Sequence, residues 1–155
     1  MDNYGSEIVA AARARIGAPF RHHFKPENIC GGGTVTVDAC MERGLDSIGY
    51  DCSGLVISSL CDILGIRPQQ WSRNYRHAKQ LEKLAEPKRP TEGDVLLFYP
   101  IHADRTRRHI GIFVTEQCTI HASGLLGQVD EARVAGVFRN VKVIPAATLM
   151  GLELG

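Results

Sequence analysis

The chemistry in this chain is concentrated around one cysteine. The segment Tyr50-Asp51-Cys52-Ser53-Gly54-Leu55-Val56 places Cys52 where the most apolar periodic stretch of the sequence begins. Leu55, Val56, Ser59, Leu60, Ile63 and Leu64 follow at helical spacing, and Gly65 suits a helix C-terminus, so the pattern predicts a buried helix over 52–64. The first turn of a helix has unpaired backbone N–H groups and the positive end of the helix dipole. That environment favours thiolate over thiol and lowers a cysteine pKa. The same N–H groups can donate to an oxyanion when sulfur attacks a carbonyl. Asp51 reads as an N-cap or a substrate contact. Ser53 and Gly54 are small enough to let a substrate approach the backbone. The plainer alternative is that Cys52 is a small apolar residue of the core.

A thiol nucleophile needs a base. Six histidines are present, and two of them fall in β-type patterns. His109 opens the run His109-Ile110-Gly111-Ile112-Phe113-Val114. Alternation would send Ile110, Ile112 and Val114 to one face and His109, Gly111 and Phe113 to the other. Gly111 leaves room beside the histidine. His121 ends the next short strand, Thr119–His121, and a hairpin between the two runs would bring His121 beside His109. A second ring in that place can fix the tautomer and orientation of the first. For any one histidine taken alone, a surface or core-edge position is the commoner explanation. His77 and His102 suggest no function.

The elements that would position these groups fall into two halves. Residues 4–16 read as a helix with Ile8, Ala11, Ala12, Arg15 and Ile16 on one side, closed by Gly17-Ala18-Pro19. Residues 20–50 are rich in Gly, His and polar residues. They read as a long loop, with a short strand at Thr34–Val37 and a turn near Ala39–Arg43. A more polar helix is expected over 72–84, ended by Pro87 and Pro90. Strands are expected at Val95–Tyr99, Ile110–Thr115, Thr119–His121, Val134–Arg139 and Val141–Ile144. Helices first and strands afterwards is the α+β pattern, here N-terminal helices packed on an antiparallel β-sheet of about five or six strands.

Composition bounds the function. The chain has 155 residues, 44% hydrophobic and 23% charged, which suits a single domain with its own core. Eighteen Lys and Arg against seventeen Asp and Glu leave a net charge of +1, which gives no reason to expect nucleic acid or an anionic membrane as partner. No transmembrane run and no secretory signal are visible, so cytoplasmic residence or delivery by another route is expected. The five cysteines Cys30, Cys40, Cys52, Cys61 and Cys118 contain no C-x-x-C pair, so no metal site or cofactor is expected. A Cys30–Cys40 disulfide stays open. A redox or metal protein built on Cys30, Cys40, His22 and His23 is one rival reading, and a non-catalytic binding module is another. The basic run Arg105-Thr106-Arg107-Arg108 reads first as a solvated loop, or else as a contact for anionic polymer.

Taken in order, these parts resemble the NlpC family of papain-like cysteine peptidases, which act on bacterial cell-wall peptides. The resemblance rests on the N-terminal helix leading into Gly17-Ala18-Pro19-Phe20, on Asp51-Cys52-Ser53-Gly54-Leu55-Val56, and on the stretch Arg73 to Gln80. It continues through Glu92-Gly93-Asp94-Val95-Leu96-Leu97-Phe98, His109-Ile110-Gly111-Ile112 and Ile120-His121-Ala122-Ser123. It implies a papain-like fold spanning 1–155 as one domain, with Cys52 as nucleophile, His109 as general base and acid, and His121 as the orienting third residue. It further implies hydrolysis of a peptidoglycan stem peptide, at the γ-D-glutamyl bond to the diamino acid, with Asp51, Ser53 and Arg73 as substrate contacts. An amidase or acyltransferase on the same fold is the alternative. A delivery or immunity partner is left open. Two departures stand out. Phe20 replaces the family's usual Tyr after Gly-x-Pro, with Tyr50 a conceivable substitute, and residues 21–50 carry an insertion beside the expected cleft.

Overall fold

The computed structural model describes residues 4–20, 52–66, 81–100, 109–123, 127–132 and 138–151. Helix α1 covers Tyr4–Arg13 and helix α2 covers Cys52–Leu64. A short 3-10 turn follows at Glu82–Leu84. Then come five strands: β1 Val95–Pro100, β2 His109–Thr115, β3 Cys118–Ser123, β4 Gln128–Ala132 and β5 Phe138–Ile144. A C-terminal helix, α3, spans Ala146–Met150. The strands form one antiparallel sheet in the order β4-β3-β2-β1-β5.

The pattern of branched and apolar residues in α2 gives a helix buried nearly all round, with everything from Ser53 to Cys61 inside. It packs against β2, β3 and α1. The main core joins Ile8, Val9 and Ala12 of α1 and Leu55, Val56 and Leu60 of α2 to one face of the sheet. That face is Val95, Leu97, Ile110, Ile112, Ile120, Ala122, Val129 and Ile144. A smaller apolar cluster, Leu96, Phe98, Phe113 and Val143, uses the alternate positions. The alternation expected of β2 therefore holds.

Two polar fastenings set the frame. Arg15 is buried between α1 and α2, donating to Asp62 at 2.5 Å and to the carbonyl of Ala11 at 2.8 Å. Asp94, just before β1, is 2% exposed. Its Oδ1 accepts from the Ala146 N–H at 2.9 Å, and its Oδ2 accepts from Lys88 Nζ at 2.8 Å and from the Thr91 N–H at 2.9 Å. Burial alone would raise the Asp94 pKa, but Lys88 and these N–H donors outweigh it and hold the pKa below its usual value. Beside it, Gly93 sits at φ +87° against Gly5 of α1. A Cβ on Gly93 would lie 2.3 Å from the Gly5 Cα, so only glycine lets the helix meet this turn.

Several expected elements shift. The first helix stops at Arg13, and residues 14–17 form a turn that leaves Ile16 42% exposed. Strand β4 was not expected from its sequence, because Gln128-Val129-Asp130-Glu131-Ala132 supplies only Val129 to the core. It is the last strand of the sheet, held by pairing with β3 on one side and by backbone hydrogen bonds to residues 17–20 on the other, and not by a hydrophobic run. The expected strands at 134–139 and 141–144 become one strand from Phe138, with residues 133–137 outside the described residues. Of the helix expected over 72–84, the part before Leu81 lies outside them, and 82–84 is 3-10. The loop at 21–50, with its expected short strand, Cys30, Cys40, His22 and His23, also lies outside them, as does the basic run at 105–108.

Candidate active site

Cys52 is the first residue of α2, partly exposed, with its inner side against the main core. The helix continues through Ser53, which is 2% exposed, and Gly54, also buried. Small residues here allow the first turn to press against the rest of the fold. Asp51 and Arg73 lie outside the described residues. Cys52, Cys61 and Cys118 are thiols and not disulfides.

The two histidines meet. Ile112 pairs with Ile120 across β2 and β3, which sets Gly111 opposite His121 and His109 on the adjacent diagonal of the same face. The His109 Nε2 to His121 Nδ1 distance is 2.8 Å, a hydrogen bond with the rings edge to face. Gly111 makes this approach possible. A Cβ there would come within 2.8 Å of Thr119 Cγ2, 3.0 Å of the Ile120 carbonyl oxygen and 3.2 Å of His121 Cβ. The other side of the His109 ring stacks on Phe98, its cross-strand partner in β1, with centroids 5.7 Å apart. Phe98 was absent from the site read from sequence. Its place in the strand Val95-Leu96-Leu97-Phe98 gave no signal, since only the register puts it under the histidine.

Burial, with a smaller contribution from the neighbouring His121, lowers the His109 pKa to about 3. Burial also lowers that of His121, with the Asp130 carboxylate opposing the shift. Both rings are therefore neutral near pH 7. One of the two nitrogens at the 2.8 Å contact carries the proton and the other accepts it. If His109 holds its proton on Nε2, its Nδ1 lone pair can take a proton from a thiol. In the other tautomer it cannot. Among the described residues no group of three or more His, Cys, Asp or Glu side chains could hold a metal ion. No helix among them is long and apolar enough to cross a membrane.

An apolar helix headed by a cysteine, laid on an antiparallel sheet that pairs two histidines, is the architecture of papain-like cysteine hydrolases. The NlpC/P60 family profile matches residues 31–144, most of the chain, so the protein belongs to the NlpC/P60 family and is a hydrolase of the cysteine peptidase class. Solved structures agree in fold. The NlpC/P60 domain of the peptidoglycan hydrolase SagA superposes with a TM-score of 0.57 at 20% identity, covering 91% of this chain and 97% of that one. The P60 domain of an antigen from M. avium subspecies paratuberculosis gives 0.56 at 16% identity, covering 92% and 96%. A lipoprotein-like protein of the NLP/P60 family from Staphylococcus aureus gives 0.58 at 16% identity, covering 93% of this chain and 42% of that one. No curated protein matches.

Proposed function

We propose that the protein is a cell-wall endopeptidase that cuts peptidoglycan stem peptides at the γ-D-glutamyl bond to the diamino acid, through a thioester on Cys52. The observation that carries this reading is the His109–His121 hydrogen bond, at 2.8 Å, in a protein whose most buried helix begins with a cysteine. Family membership and the likeness to the domain of SagA, a peptidoglycan hydrolase, supply the substrate class.

In this mechanism His109, the first residue of β2, takes the Cys52 proton on Nδ1 as sulfur attacks the carbonyl. The helix N-terminus favours the sulfur anion, and the Cys52 backbone N–H donates to the oxyanion. The imidazolium then gives its proton to the leaving amine, and the thioester forms. Water, losing a proton to His109, attacks the thioester. The carboxylic acid leaves and the thiol is restored. His121 holds the His109 ring in the tautomer that can accept at Nδ1. Asp51, Ser53 and Arg73 are the proposed substrate contacts.

The test is digestion of purified stem peptides and whole peptidoglycan by the wild type and by Cys52→Ala, with products weighed by mass spectrometry. Cleavage at the γ-D-glutamyl bond by the wild type alone is expected. Cleavage by both proteins, or at another bond, overturns the assignment.

A further inference from the structure

His121 is 6% exposed, and its Nδ1 is engaged with His109. Its other nitrogen, Nε2, is buried and has no hydrogen-bond partner. A buried polar ring atom left this way is unfavourable, and a neutral histidine must either carry a proton there or leave a lone pair there. The mechanism above decides which. For His109 Nδ1 to accept the thiol proton, His109 Nε2–H must donate to His121 Nδ1, and His121 must then carry its own proton on Nε2. That N–H needs an acceptor.

One candidate acceptor lies on the neighbouring strand. Asp130 of β4 is the direct cross-strand partner of His121, so both side chains leave the same face of the sheet. Asp130 is half-buried, and one of its oxygens, Oδ1, accepts from the Glu131 N–H at 2.8 Å. The neighbouring acid, Glu131, points to the opposite face and is bound to Arg13 of α1 at 2.8 Å. On the face of His121 the neighbours from β2 are His109 and Gly111, and those from β3 itself are Thr119 and Ser123. Among the described residues on β2, β3 and β4, His109 and Asp130 are the titratable groups beside it.

We propose that Asp130 is a positioning residue whose carboxylate accepts from His121 Nε2–H, directly after a side-chain rotation or through one water. It thereby locks the order of donors from His121 to His109. No proton moves along this chain beyond His109. The carboxylate sets which nitrogens carry protons, so that His109 Nδ1 stays open to the thiol. The inference rests on the proposed function for its mechanistic meaning, but the tautomers can be read without any substrate.

The experiment is nitrogen-15 NMR of the histidine side chains in the wild type and in Asp130→Asn and Asp130→Glu. It is paired with the pH dependence of Cys52 alkylation and with kcat and KM on a stem peptide. In the wild type both His109 and His121 are expected as Nε2–H tautomers. In Asp130→Asn, His121 is expected to shift toward the Nδ1–H form and Cys52 alkylation near pH 7 to slow. The kcat should fall about 10-fold with KM little changed, far less than the about 10⁴-fold loss when an acid bonded directly to a catalytic histidine is replaced. Asp130→Glu keeps a carboxylate and should recover most of both signals. Thermal unfolding of each variant separates these effects from loss of fold. An Nδ1–H tautomer on His121 in the wild type overturns the proposal, and so do tautomers and alkylation rates unchanged in Asp130→Asn. Absence of peptide cleavage would sink the peptidase reading while the NMR and alkylation readings still decide the role of Asp130.

Discussion

The two faces of the central sheet use the same strands for different purposes. On one, Ile110, Ile112, Ile120 and Ala122 are fully buried beneath α1 and α2. On the other, the alternate residues of β2 and β3 are His109, Gly111, Phe113, Thr119 and His121, with Phe98 stacked against His109. The first face holds the fold together, since each large aliphatic side chain buried there contributes about 1.5–3 kcal/mol. The second carries two imidazoles, His121 buried and His109 partly so, and desolvation lowers the pKa of both. A strand whose side chains alternate can thus be anchored by one face while the other holds two imidazoles in hydrogen-bond contact. The register that aligns the buried residues of the first face also sets the 2.8 Å contact of the second.

The sharpest way to separate the two is at the thiol. Cys52→Ala is expected to lower kcat/KM by about 10⁴-fold or more, as loss of a nucleophile does in other hydrolases. Its melting temperature should stay close to that of the wild type, because Cys52 only borders the core. The reverse pattern is expected deeper in the same helix, where Leu60 is fully buried. Leu60→Ala empties space in the main core and should cost about 2–5 kcal/mol in chemical denaturation, with Cys52 alkylation in the folded fraction unchanged.

Gly111→Ala tests the contact between the faces. The new methyl meets Thr119, the Ile120 carbonyl and the His121 Cβ. Overpacking of this kind costs about 1–3 kcal/mol, and peptide hydrolysis should drop by more than the unfolded fraction explains, because the His109–His121 distance opens. A purely structural role for Gly111 would lower stability and leave the specific activity of folded protein intact.

The smallest effect is the pH dependence of stability. In the unfolded chain His109 protonates near 6.5, while in the folded protein it stays neutral down to about 3. The unfolded state therefore binds more protons in that window, and its share of stability, complete above 6.5, is lost as pH falls toward 3. His121 adds the same sign. Asp94 acts in a lower window: its contribution is present above 3.8 and is lost as pH falls through its lowered folded value. Urea midpoints should decline from pH 7 to pH 4 in the wild type and less steeply in His109→Gln. Equal slopes in the two proteins would mean that His109 is not held neutral by burial.

Much of this was legible in the order of residues. The helix at 52–64, the alternation of β2 and the room made by Gly111 follow from local periodicity, which a chain carries in itself. The meeting of His109 with His121 was an expectation that needed a hairpin, and the register of Ile112 with Ile120 fulfils it. Strand β4 was not legible, because an edge strand with one core residue has no hydrophobic signature. Phe98 beneath His109, and Asp130 opposite His121, were hidden for the same reason. Cross-strand neighbours are chosen by register between segments distant in sequence. The sequence alone determined which residue types could do chemistry and which helix and strands would carry them, because periodicity and helix-end electrostatics are local. Only the tertiary structure decided which nitrogen of His109 faces His121, what stacks behind the ring and which residue lies across the sheet from His121, because pairing register and burial exist only once the sheet has formed.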